Sequence, residues 1–141
     1  MPPPPPGFSP QNGNVTDEVL ENRICNGITL KECELKDCHV TSCQIIDSKI
    51  KGGWICSSTI KDGDLINLQC VISSKIDDSM MKHCSIHNSQ ISEGDVKNTS
   101  LVDCKVTDSE VKDCQAVRSH FKKCEVKRVV QQDCSMKKCE T

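Results

Sequence analysis

The sequence predicts an all-β solenoid, and three observations carry that prediction. From Ile28 onward an aliphatic residue recurs at every fifth position. Two places before each of them stands a small residue, nearly always Cys, Ser, Gly or Thr. Aromatic residues are almost absent, with Phe8, Trp54 and Phe121 and no Tyr among 141 residues. A thick core normally draws much of its buried area from aromatic rings, so the buried residues here must be small and uniform.

The stretch Cys33–Cys43 shows the unit most plainly: C-E-L-K-D, C-H-V-T-S, then C-Q-I-I-D. One inward series runs Leu30, Leu35, Val40, Ile45, Ile50, Ile55, Ile60, Leu65. A second runs from Ile76 through Met81, Ile86, Ile91, Val96, Leu101 and on to Met136, with Gln131 its polar member. The two series are offset by one residue, which places a register slip between 65 and 76. A helix repeats its apolar residues at 3.6 and a strand at 2.0, and five suits neither. It suits a chain that takes a short extended step, turns a corner and repeats, the pattern of a solenoid. Such coils bury their apolar residues only by stacking, and an extra residue bulges outward at a corner.

From Ile28 to the C-terminus the chain resembles the pentapeptide-repeat family, whose unit is a small residue, a polar one, Leu or Phe, then two polar ones. It departs by using Cys or Ser where the family favours Ala, and mostly Ile or Val where it favours Leu or Phe. The resemblance implies a right-handed quadrilateral β-helix with four units per coil, hence about six coils. The twenty-residue spacing of Cys84, Cys104 and Cys124, and of Cys114 and Cys134, agrees with four units. It also implies a non-catalytic scaffold. Some members mimic DNA and bind type II topoisomerases such as gyrase, which is the alternative function, and an ice-binding solenoid is a more distant one. Ice binding calls for ranks of Thr, which Thr29, Thr41, Thr59, Thr99 and Thr107 do not form at that period.

Residues 1–22 read as a disordered Pro-rich N-terminal tail with a short cap, and 23–141 as the β-helix. The opening M-P-P-P-P-P-G-F-S-P has no apolar h-region of a signal peptide. No run reaches transmembrane length, so a cytoplasmic chain with reduced thiols and no membrane partner is expected. The prolines form either a polyproline II ligand for SH3, EVH1 or profilin-type grooves or a plain linker. Thr16-Asp17-Glu18 offers a helix N-cap, with Val19, Leu20 and Ile24 completing one amphipathic turn over the first coil.

Twelve cysteines invite a metal or disulfide reading. Metal sites need Cys or His two to four residues apart, and neither C-x-x-C nor C-x-C occurs. Nine of the cysteines occupy the small inward position, where a reduced thiol fills space as a small hydrophobe. Cys25, Cys56 and Cys70 fall off that pattern, and outward Cys56 is expected to be the most reactive. No metal or cofactor is expected.

Function therefore belongs to outward residues. Trp54, Ile46, Ile66, Val71 and Ile72, with Val102 and Val117, are the apolar ones and form the candidate partner surface, Ile46 and Ile66 stacking on one face. Acidic residues outnumber basic ones eight to four in 76–113, and basic outnumber acidic seven to three in 114–141. The basic end carries Arg118, Lys122, Lys123, Lys127 and Arg128. A net charge of −2 and the lack of interleaved aromatics argue against nucleic acid. An open coil end allows a homodimer, and no nucleophile–base set or phosphate loop supports an enzyme.

Overall fold

The computed structural model describes residues 9–11 and 13–141, and over these the chain winds into a parallel β-solenoid of short strands. The proline run of residues 1–8, with its two alternative roles, lies outside the described residues. No helix among the described residues is long and apolar enough to cross a membrane.

Strand pairing fixes the coil. Ile86 pairs with Leu101, Leu101 with Ala116 and Ile91 with Val106, an offset of fifteen residues each time. Three pentapeptide units make one coil, so the quadrilateral section implied by the resemblance is corrected to a three-sided one. Nine strands stack in one sheet, giving about eight coils instead of about six and a rod on the order of 40 Å long at ~4.8 Å per strand. The physical reason for the miscount is that all three faces share one inward grammar. Cys84, Cys104 and Cys124 sit before the third, first and second faces, not in one column.

The first face turns Val15, Leu30, Ile45, Ile60, Ile76, Ile91, Val106 and Phe121 inward, all at most 4% exposed. The second does the same with Leu20, Leu35, Ile50, Leu65, Met81, Val96, Val111 and Val126. The third uses Cys25, Val40, Ile55, Val71, Ile86, Leu101 and Ala116. Each fully buried aliphatic side chain contributes about 1.5–3 kcal/mol. In the coil of residues 127–141, Gln131 and Met136 are exposed instead.

Corners follow a second rule. Two residues after each inward residue the backbone enters the left-handed region, with φ of 47–56° at twenty-three non-glycine corners among the described residues. Thirteen of those twenty-three are Asp or Asn, the side chains that best tolerate this conformation. At the second corner the strands Glu34–Thr41 and Lys49–Cys56 continue unbroken and join the second and third faces in one sheet. In the second of these strands Gly53 leaves no room for a side chain: at φ 93° a Cβ would sit 2.8 Å from the backbone nitrogen of Cys38.

The small inward residues are hydrogen-bonded as well as packed. Ser48 Oγ accepts the Cys33 N–H at 3.1 Å and donates to Ile46 O at 2.8 Å. Cys33 Sγ donates to Lys31 O at 3.2 Å. The pattern repeats at Ser58 beneath Cys43 and at Ser119 beneath Cys104. Ser and Cys thus supply the backbone with partners that Ala would lack.

Two expectations are revised at the N-terminal end and the slip. The helical turn over 16–24 is absent; Val15–Thr16, Val19–Glu21 and Arg23–Asn26 are strands. The five-residue period already runs through Val15, Leu20 and Cys25, so the coils take in residues that the sequence reading left with the tail. Cys25, expected off the pattern, is a fully buried inward residue. The slip falls inside its expected window. Asp64 pairs with Lys49 at an offset of fifteen, Cys70 with Trp54 at sixteen, and Val71 with Ile86 at fifteen again. Leu68 and Val71 both point inward, and Gln69–Cys70 absorb the extra residue between them.

Candidate docking face

The outward residues of the three faces differ sharply. On the second face, fourteen of the seventeen outward positions from Val19 to Glu140 carry Asp, Glu, Lys or Arg. Lys36–Glu34, Lys97–Asp95, Lys112–Glu110 and Lys127–Glu125 are ion pairs along single strands there. On the third face none of the sixteen outward positions from Ile24 to Gln132 does. Charge depletion of this kind marks the core of an interface.

One column of the third face runs Ile24, His39, Trp54, Cys70, Ser85, Ser100, Gln115, Val130, and the other Asn26, Thr41, Cys56, Ile72, His87, Val102, Val117, Gln132. Trp54 is 46% exposed. Its ring stacks on His39 with centroids 5.6 Å apart and planes 13° from parallel. Its indole N–H donates to Gln69 Oε1 at 2.5 Å, so the residue that takes up the register slip also anchors the tryptophan. Ile72, Val102 and Val117 are half-buried in the second column. A depression of about 480 Å³ beside the face is lined by His83, Ser85, Asn98, Ser100 and Asp113 among others.

The five apolar residues singled out in the sequence do not form one patch. Trp54 and Ile72 lie on the third face. Ile46 is on the first face and Ile66 on the second, separated because a coil holds three units. Val71 is not outward at all: the bulge at Gln69–Cys70 turns it inward, and it is fully buried.

The basic residues are dispersed around the rod too. Arg118 chelates Asp103 and Arg128 chelates Asp113, each with two hydrogen bonds of 2.6–3.0 Å. These guanidiniums hold both carboxyls below their usual range. Lys127 pairs with Glu125. Lys122 and Lys123 stand at the end of the first face beside Lys137 and Lys138.

Sequence reasoning missed the first corner. Asp17, Glu32, Asp47, Asp62, Asp78, Glu93 and Asp108 occupy it on seven consecutive coils before Lys123 and Lys138 reverse the sign. The Glu93 carboxyl is pushed up, first by a hydrogen bond with Asp78 and then by its charge. The signal was available as acids spaced by fifteen, but only for a reader who already had the coil length.

Among the thiols, burial pushes Cys25 up to about 12. Burial also raises Cys70, followed by the neighbouring Cys56. All twelve cysteines are free. Among the described residues no group of three or more His, Cys, Asp or Glu is placed to hold a metal ion.

Period, strand register and hydrogen-bonded Ser/Cys ladder define a three-sided parallel β-solenoid of five-residue units with one uncharged face. No family model and no curated protein matches the chain. Among solved structures, QnrB1, a plasmid-mediated fluoroquinolone resistance protein, aligns over 95% of this chain and 84% of its own at a TM-score of 0.58 and 9% identity. The Agl-KA catalytic domain aligns over 90% of this chain and 43% of its own at 0.52 and 7% identity. Identities this low establish a shared fold alone.

Proposed function

We propose that the protein is a non-catalytic scaffold that binds a protein partner through the third face. One observation carries this reading: sixteen outward positions without a formal charge, on a rod whose second face is charged at fourteen of seventeen. Flat, preformed and uncharged, the face exacts little desolvation cost on docking, and Trp54 offers the kind of anchor that dominates interface energetics. The test compares partners co-purified with full-length protein and with an Ile72→Glu/Val102→Glu variant. A partner bound through this face is lost by roughly tenfold or more and kept by a second-face Lys112→Ala control. Equal recovery from all three proteins would sink the reading.

A second reading, binding to a type II topoisomerase through an acidic DNA-like edge, is favoured by the seven stacked carboxylates of the first corner. A supercoiling assay tests it. Inhibition that Asp47→Asn/Asp62→Asn/Asp78→Asn abolishes supports the reading, and absence of inhibition removes it. Asn keeps the left-handed corners comfortable, so the variant alters charge with little effect on fold. End-to-end pairing of two copies is supported by the exposure of Met136, which continues the inward series of the first face. Light scattering that finds monomer alone at high concentration would remove it.

A further inference from the structure

We propose that the second face pairs with the second face of another copy of this chain, about a two-fold axis parallel to the rod. The pairing uses a different face from the one assigned to a partner protein and leaves that face uncovered.

The charges of the second face are sorted into columns. Acids fill one of them at Glu34, Asp64, Asp95, Glu110, Glu125 and Glu140. Lysines fill the column beside it at Lys36, Lys51, Lys82, Lys97, Lys112 and Lys127. A two-fold axis along the rod exchanges left and right and keeps height. It therefore sets each acid of one copy against the lysine of the same coil in the other. A two-fold axis across the rod would set acids on acids and lysines on lysines, and like charges face to face oppose docking. Under the first axis like charges meet only in the coil of Lys49 and Lys51. An ammonium carries three N–H donors, so Lys97 keeps Asp95 of its own strand at 3.4 Å while it meets the partner's Asp95.

The same axis explains where the charge pattern is interrupted. Ile66 and Met80 stand on consecutive coils, midway along the face and in different columns. Met80 is 43% exposed and Ile66 is half-buried. Exchange of the columns brings Ile66 of each copy into line with the partner's Met80, one coil step of ~4.8 Å away. Four apolar side chains then meet at the centre of the strip, with paired charges on both sides. An apolar centre within a polar rim is the anatomy of a docking surface, and the flexible thioether fills irregular gaps between facing sheets. The strip is on the order of 40 Å long and ~10 Å wide. Two copies bury roughly 800 Å² in all, the scale of a weak, transient contact.

Sedimentation equilibrium of the full chain tests the pairing. The wild type should form dimers at low salt and lose them as salt rises, because the Debye length falls from ~30 Å at 0.01 M to ~3 Å at 1 M. Lys97→Glu/Lys112→Glu and Asp95→Lys/Glu110→Lys should each weaken self-association by roughly tenfold or more. Mixed in equal amounts, these two variants should form a heterodimer at least as tight as the wild-type dimer, since acids then face lysines in both columns. Ile66→Ser/Met80→Ser alters no charge and should weaken the wild-type dimer about tenfold. A wild type that stays monomeric at low salt would overturn the pairing. So would self-association that all three variants keep, which would mean a contact through another surface. A mixture no more associated than its two components would overturn it too.

Discussion

Asp103 accepts two hydrogen bonds from Arg118, the residue one coil further along the same corner column, at 2.8 and 3.0 Å. Asp113 and Arg128 repeat the arrangement at the neighbouring corner. On the remaining corner the stacked pair is Asp78 and Glu93, two acids, and the neighbouring Asp78 pushes the Glu93 carboxyl up. One backbone geometry thus hosts opposite electrostatics on different edges of one rod.

The two kinds of pair give opposite pH dependences. Asp103 and Asp113 have lowered folded-state pKa values, so they stabilise the fold near neutrality and lose that contribution as pH falls through those values. Glu93 is raised; ionised, it opposes folding, and that penalty lifts as pH falls through its raised value. The melting temperature should rise slightly as the pH is lowered from about 7, then fall below about pH 4. Glu93→Gln should flatten the rise. A wild-type curve that only falls contradicts the raised Glu93 carboxyl.

Backbone conformation predicts two substitutions of opposite sign. Gly53→Ala places a methyl group against the Cys38 backbone at a positive φ and should cost about 2–4 kcal/mol. Lys123 holds φ 54° without the help of an Asx side chain, so Lys123→Gly should gain about 1 kcal/mol. Chemical denaturation with unchanged m-values checks both.

Thiol chemistry should follow position. Alkylation of the native protein, read by mass spectrometry, should modify half-exposed Cys56 first. Cys70 should lag because burial raises its thiol. Cys25, at about 12, should react only on unfolding. Early modification of Cys25 would mean that the third face opens locally.

The sequence made the inward positions legible because every coil must bury a small residue and an aliphatic one, whatever its face. That same uniformity hid the number of faces. Leu35, Val40 and Ile45 look alike, although they belong to three different walls. The coil length is written in charge instead: lysines at 82, 97, 112 and 127, and acids at 17, 32, 47 and 62, both at steps of fifteen. The uncharged face was half visible through Trp54 and Ile72. Its extent depended on knowing that His39, Val102 and Val117 share its two columns. Val71 was misplaced because the bulge at Gln69–Cys70 could be located only within a window.

The fifteen-residue coil also governs how such a rod can vary in length. Inserting or deleting five residues would leave every aliphatic side chain pointing inward, and the core would be undisturbed. Everything downstream, however, would turn by a third of a revolution, and the uncharged strip would break into two pieces on different sides. Only whole coils can be added or removed without cutting it. The uncharged strip on this rod is therefore inherited in steps of fifteen, while the wall behind it tolerates steps of five.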